Sequence, residues 1–253
     1  MNELLNRHEP HPVTVERPDG RSGFFLSCDH ASNRIPEALG NLGLASSELG
    51  RHIAWDIGAA GVARHLSRQL DATLVLQNYS RLVIDCNRPH DHEHLIPALS
   101  EATAIPGNLG LTKAHRTQRV SEVFTPYHDS IGKLLDERVQ NRLATAYVAI
   151  HSFTPTYLEK PRPWHIGILC RGDKRMADFM LKQLKATTSW CIGENQPYQI
   201  DDKDYGIPTH AENRELPHVL IELRQDLIAT ETGQFEWARL LAPVLHGALQ
   251  DIR

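Results

Sequence analysis

The feature that most constrains this chain is a set of short runs that are apolar almost throughout: GFFLSC (23–28), TLVLQ (73–77), AYVAI (146–150), HIGILC (165–170) and HVLIEL (218–223). A strand with one wet face alternates apolar and polar side chains. A strand apolar on successive residues is covered on both faces, as in the largely parallel sheets of α/β proteins. Helical patterns separate these runs. Ala59, Val62, Ala63, Leu66 and Leu70 recur at i, i+3, i+4, i+7 and i+11 within 57–70, which predicts an amphipathic helix with Asp56 as an acidic N-cap. RLVID (81–85) reads as a further strand, stopped by Pro89. Residues 114–143 keep a helical period that Pro126 should bend or split, and helices are expected over 173–186 and 236–249. Strands alternating with helices predict a three-layer α/β/α domain with a mixed, largely parallel sheet. Residues 1–22, with Pro10, Pro12, Pro18 and Gly20, read as an irregular arm, and 23–253 as a single domain.

Charge narrows the partners. The 253 residues carry 27 Lys+Arg and 31 Asp+Glu, a net charge of −4 without any block of like charges. That leaves no electrostatic footprint for nucleic acid or an anionic membrane surface. No signal-peptide pattern opens the chain, and no apolar run approaches the roughly 18 residues of a membrane helix, so a cytoplasmic protein is expected. Cys28, Cys86, Cys170 and Cys191 are far apart and form no CxxC pair, which argues against a zinc ribbon. The 15 histidines raise the question of a metal, and only position can answer it.

Polar residues that suit a core poorly stand at the ends of separate apolar runs: His30 after FFLSCD, Asn87 and Arg88 after LVIDC, His151 after YVAI, and Glu222 inside VLIELRQD. In open α/β sheets ligands bind beyond the carboxyl ends of the strands. Two histidines on neighbouring strand ends can share a metal, with a carboxylate as third ligand or base. Three protein ligands and one water are the usual catalytic zinc arrangement, so a hydrolytic site follows.

These residues fall in five ordered blocks, SCDHASNRIP (27–36), WDIGA (55–59), SRLVIDCNRP (80–89), IHSFTP (150–155) and IELRQDLI (221–228). Together the blocks resemble the N-formylglutamate amidohydrolase family over about residues 23–230. The resemblance implies a zinc carboxypeptidase-like fold and a small-molecule N-acyl amino acid substrate, such as N-formylglutamate. It further implies one Zn²⁺ held by His30 and His151, a substrate carboxylate held by Asn87 and Arg88, and Glu222 as general base. The carboxypeptidase pattern places a glutamate three residues after the first histidine, where this chain has Asn33. Asp56, which opens a helix after the long loop from the first strand and lies in the WDIGA block of the resemblance, is favoured as the third ligand. Helix capping is the competing role for Asp56, and Asn33 remains open as a weak ligand or water-orienting group.

Other positions carry paired readings. Arg81 either polarises the scissile carbonyl or forms an ordinary salt bridge, and Glu222 either acts as base or pairs with Arg224. His210 is expected to line the substrate pocket. HDHEHLIP (90–97) looks most like a metal site, yet it follows Pro89 in a loop and is read as solvated. Ser27 and Ser152 lie in no GxSxG elbow, which disfavours a serine hydrolase. The alternatives are the same chemistry on another acyl or peptide substrate, or a non-catalytic protein binding a metal or an amino acid.

Overall fold

The computed structural model describes residues 3–252. Its strands are β1 (Val13–Glu16), β2 (Phe24–Cys28), β3 (Thr73–Gln77), β4 (Leu99–Ser100), β5 (Thr103–Ala104), β6 (Ala146–Phe153), β7 (Thr156–Tyr157), β8 (Lys160–Pro161), β9 (Ile166–Leu169), β10 (Ile192–Glu194) and β11 (His218–Arg224). Its α-helices are α1 (Ser46–Leu49), α2 (Ala59–Leu70), α3 (Lys113–Arg119), α4 (Thr125–Gln140), α5 (Arg175–Thr187) and α6 (Glu231–Asp251). Seven strands make one sheet in the order β1-β3-β2-β6-β11-β9-β10. β1–β3 and β11–β9 are antiparallel and the other four pairs parallel, giving the mixed, largely parallel sheet expected from the apolar runs.

Alternate residues of each strand feed two cores. Phe24, Leu26, Val148, Ile150, Val219 and Ile221 pack with α2, α5 and α6 on one face. Phe25, Tyr147, Ala149 and Leu220 pack with Phe124, Tyr127, Ile131 and Leu135 on the other. Burying each such Phe or Leu contributes about 1.5–3 kcal/mol, so both faces reward strands without polar alternation. Helices on both sides complete the three-layer α/β/α class.

Three elements differ from expectation. Residues 13–16, read as part of an irregular arm, form the edge strand β1 against β3. Arg81–Asp85 is not a strand. It follows a tight turn at Ser80, whose hydroxyl donates to Ala54 O and accepts from Leu82 N. Leu82 packs with Leu42, Ala54 and Ile105, while Val83 and Ile84 enter the α4-side core. Apolarity there signalled burial under a loop rather than sheet pairing. Around Pro126 the expected break becomes a π-turn over Val120–Phe124 that joins α3 to α4. Thr125 N–H reaches back five residues to Val120 O, so the chain passes Pro126, which has no N–H to donate, without a break.

Candidate active site

The β2, β6 and β11 strand ends meet a loop that returns through residues 80–88, and their polar side chains converge. His30 lies two residues beyond β2, and its carbonyl accepts the N–H of Asp56, tying the two segments together at 3.0 Å. His151 and Glu222 are direct neighbours across the parallel β6–β11 pair. Both fall on the α4 side of the sheet, in the same alternation as Ala149 and Leu220. His151 stands within β6 rather than after it, because the strand continues to Phe153.

Asp56 does not cap α2. The N-cap is Gly58 at φ 80°, without a side-chain bond. A Cβ at Gly58 would lie 2.1 Å from Ile228 O, so only glycine fits this left-handed turn. Freed from capping, Asp56 turns its carboxylate inward, where Oδ2 accepts from His151 Nδ1 (2.9 Å), His30 Nδ1 (3.3 Å) and Ser152 N (3.2 Å). Ligand atoms of His30, Asp56 and His151 all lie within 4.8 Å of one another, and all three residues are buried.

The far side of each imidazole faces a second acid. His30 Nε2 donates to Asp85 Oδ1 at 2.8 Å, and His151 Nε2 stands 3.6 Å from Asp29 Oδ2. Both Nδ1 atoms face Asp56, and metal-ligating histidines commonly have such outer carboxylates behind the ring. Burial opposes charge on all these groups, yet their mutual contacts prevail. Asp56 is held well below the usual carboxylate range by His30 and His151, and Asp85 likewise by Arg81 and His30. Asp29 is brought down to about 2, chiefly by His151 against its burial. The same carboxylates push His30 and His151 upward.

Arg81 donates through Nε (3.1 Å) and Nη2 (2.6 Å) to Asp85 Oδ2 and stands 3.6 Å from Asp56 Oδ1. Three ionised carboxylates against one guanidinium leave two negative charges around a pair of converging imidazole nitrogens. Each Nδ1 facing the Asp56 carboxylate needs a positive bridge, a proton or a metal ion. The donor set therefore fits a divalent cation of the zinc type.

Glu222 differs from the other acids. Burial pushes its carboxyl up to about 7, and Oε2 has no hydrogen-bond partner among the described residues. Arg224 bonds Asp226 instead, which removes the structural pairing that competed with the base role. On the neighbouring β9, Gly167 faces Glu222 across the antiparallel pair, and a Cβ there would meet Gln196 O at 2.0 Å. The loop after β10 thus closes tightly beside the acid.

Glu222, His30, Asp56, His151, Arg81 and Arg88 share the wall of one cavity of about 450 Å³. Asn87 reaches this wall mainly as a brace: its amide oxygen accepts from Tyr205 N and Gly206 N, and its nitrogen donates to Asp204. Arg88 spends Nη1 on Asn87 O, Lys203 O and Asp204, and the rest of its fork has no bonded partner among the described residues.

Two expected residues fall elsewhere. Asn33 donates its amide to Leu49 O and does not line the cavity. His210, expected to line the substrate pocket, belongs to a different cavity, because the π-turn at Ile207–Ala211 directs it against His128 of α4. Asp85 and Asp29, the partners of the histidines, were not among the expected site residues, although each lies inside one of the five blocks, 80–89 and 27–36.

No helix among the described residues is long and apolar enough to cross a membrane. Residues 22–229 match the N-formylglutamate amidohydrolase family. The whole chain aligns with 95% of an N-formylglutamate deformylase of Pseudomonas putida at 23% identity. Gene product Atu2144 of Agrobacterium tumefaciens has a crystal structure similar to this chain at a TM-score of 0.96, with 40% identity and 99% of each chain covered. The structure of N-formylglutamate amidohydrolase from Ralstonia eutropha JMP134 shares the fold at a TM-score of 0.70, with 19% identity over 96% of this chain and 99% of that one. The match over most of its length shows that the chain belongs to the N-formylglutamate amidohydrolase family.

Proposed function

We propose that the chain is a metal-dependent amidohydrolase that cleaves the formyl amide of an N-formyl amino acid, with N-formylglutamate as the leading substrate. The observation that carries this reading is an unpaired carboxyl, Glu222, raised to about 7 and next to the buried His30–Asp56–His151 cluster. The family match and the deformylase relative support the substrate class.

His30 and His151 through Nδ1, and Asp56 through its carboxylate, would hold the ion. A divalent metal, when bound, supplies Lewis-acid activation of water and of the amide carbonyl. Glu222 takes the proton of the attacking water; a base with a value near the working pH gains most from this transfer. The same carboxyl then delivers that proton to the departing amine nitrogen, so no proton is lost to solvent. Arg81 keeps Asp85 and Asp56 ionised and adds positive charge beside the reacting carbonyl. Arg88, through its remaining N–H groups, holds the substrate carboxylate, where a planar fork serves better than an ammonium.

The test is formate release from N-formyl-L-glutamate, with N-acetyl and N-succinyl amino acids in parallel. The parent protein is expected to release formate and to contain roughly one equivalent of zinc. Glu222→Gln should lower kcat by about 10²–10⁴. Equal hydrolysis by Glu222→Gln would overturn the base assignment. Absence of both zinc and hydrolysis would favour a binding protein.

A further inference from the structure

The two imidazoles of the site are supported unequally. His30 has a direct hydrogen bond to Asp85, while His151 Nε2 stands 3.6 Å from Asp29, beyond hydrogen-bond reach. Asp29 is nevertheless not free to move away. Its Oδ1 accepts the phenol of Tyr127 at 2.5 Å, and Tyr127 is fully buried on α4. On the other side Gly206 leaves only a narrow slot, since a Cβ there would lie 3.3 Å from Asp29 Oδ2. The carboxylate is thus clamped with Oδ2 toward His151, whose Nε2 has no other partner among the described residues. Asp29 and Tyr127 do not line the cavity, so neither touches the substrate.

We propose that Asp29, locked by Tyr127, is the positioning residue that keeps His151 Nδ1 turned toward Asp56 and thereby sets how tightly the site holds a divalent ion. The inference rests on the metal-dependent reading above. It assigns to a tyrosine on a helix across the core a share in metal retention. Removing an outer partner of a ligating histidine typically costs 10–100-fold in metal affinity.

The experiment measures zinc dissociation by chelator competition on the purified full chain, with thermal unfolding as a check of folding. Asp29→Asn, which preserves shape, should weaken zinc by about 10–100-fold. Tyr127→Phe should weaken it in the same direction by less. At saturating zinc the substrate KM should hold in both variants, because neither residue reaches the cavity. Zinc held by Asp29→Asn as tightly as by the parent overturns the proposal. If Asp29→Asn does not fold, Tyr127→Phe decides, and unchanged zinc affinity there overturns it. A parent chain that binds no zinc overturns the proposed function instead.

Discussion

Two buried histidine pairs lie on the α4 side of the sheet, each with ring centroids 5.1 Å apart, and they are electrostatic opposites. His30 and His151 cross at 68° among Asp29, Asp56 and Asp85, and are pushed toward the charged form. His128 and His210 stack at 17° with no carboxylate among the described residues bonded to either ring. Cys86 O can only accept, so His128 Nε2 carries the hydrogen in that 2.9 Å bond. His128 Nδ1 then accepts from His210 Nε2 at 2.8 Å, and both rings are neutral. Burial drives them down to about 3 and about 4. Carboxylates, rather than two imidazoles in proximity, distinguish the candidate cation site.

The largest expected effect separates the pairs by metal content. His151→Ala should lose bound zinc by more than the roughly 100-fold that removal of an outer partner can cost, and activity with it. His210→Ala should keep its zinc. Metal analysis of the two purified variants checks this, and zinc loss in His210→Ala would break the comparison.

The second effect is the response to acid. His128 and His210 resist protonation in the fold, whereas in the unfolded chain they take up protons below about 6.5. Their contribution is therefore present above about 6.5 and falls as pH drops toward about 4 and then about 3. The loss is on the order of a few kcal/mol. In the metal-free chain the raised His30 and His151 work in the opposite sense, stabilising below about 6.5 and losing that stability as pH climbs through their folded values. Urea unfolding between pH 7 and 4 should show a shallower acid loss in a His128→Phe/His210→Phe double variant than in the parent.

A smaller effect follows from the pair's hydrogen bond. His210→Phe leaves His128 Nδ1 buried without a donor, which costs about 1–3 kcal/mol. Denaturant midpoints measure it, and the His128–Cys86 bond places the strain beside the loop carrying Asp85 and Arg88.

Much of this division was legible from the chain. Runs without polar alternation announced a sheet covered on both faces, and His30, His151 and Glu222 stood out because strand ends interrupt those runs. Apolarity could not say how Leu82, Val83 and Ile84 are buried, so a loop passed for a strand. Nor could it reveal Asp29 and Asp85, since an acid beside a histidine or an asparagine looks like loop polarity until the third dimension places it behind a ring. His128 lay inside a helical pattern, where nothing local distinguishes a neutral core histidine from an exposed one. His210 lies in the segment before the last core strand, where nothing local shows that it meets His128 from 82 residues away.

A third pair gives the smallest expected effect and sharpens the comparison most. His92 and His94, in the segment that most resembles a metal motif, have ring centroids 5.4 Å apart, nearly the separation of the buried pairs. His94 is exposed, and its nearest carboxylate, Glu93, is 84% exposed at 3.7 Å. Water screens that contact, and holding two mobile side chains together costs entropy that a surface ion pair barely repays. His94→Ala should therefore change stability by no more than about 0.5 kcal/mol and leave zinc content and kcat untouched. A measurable loss of zinc in that variant would show that ring separation alone had selected a ligand. Retention would leave the buried carboxylates, present at one of three similarly spaced histidine pairs, as the feature that marks the candidate cation site.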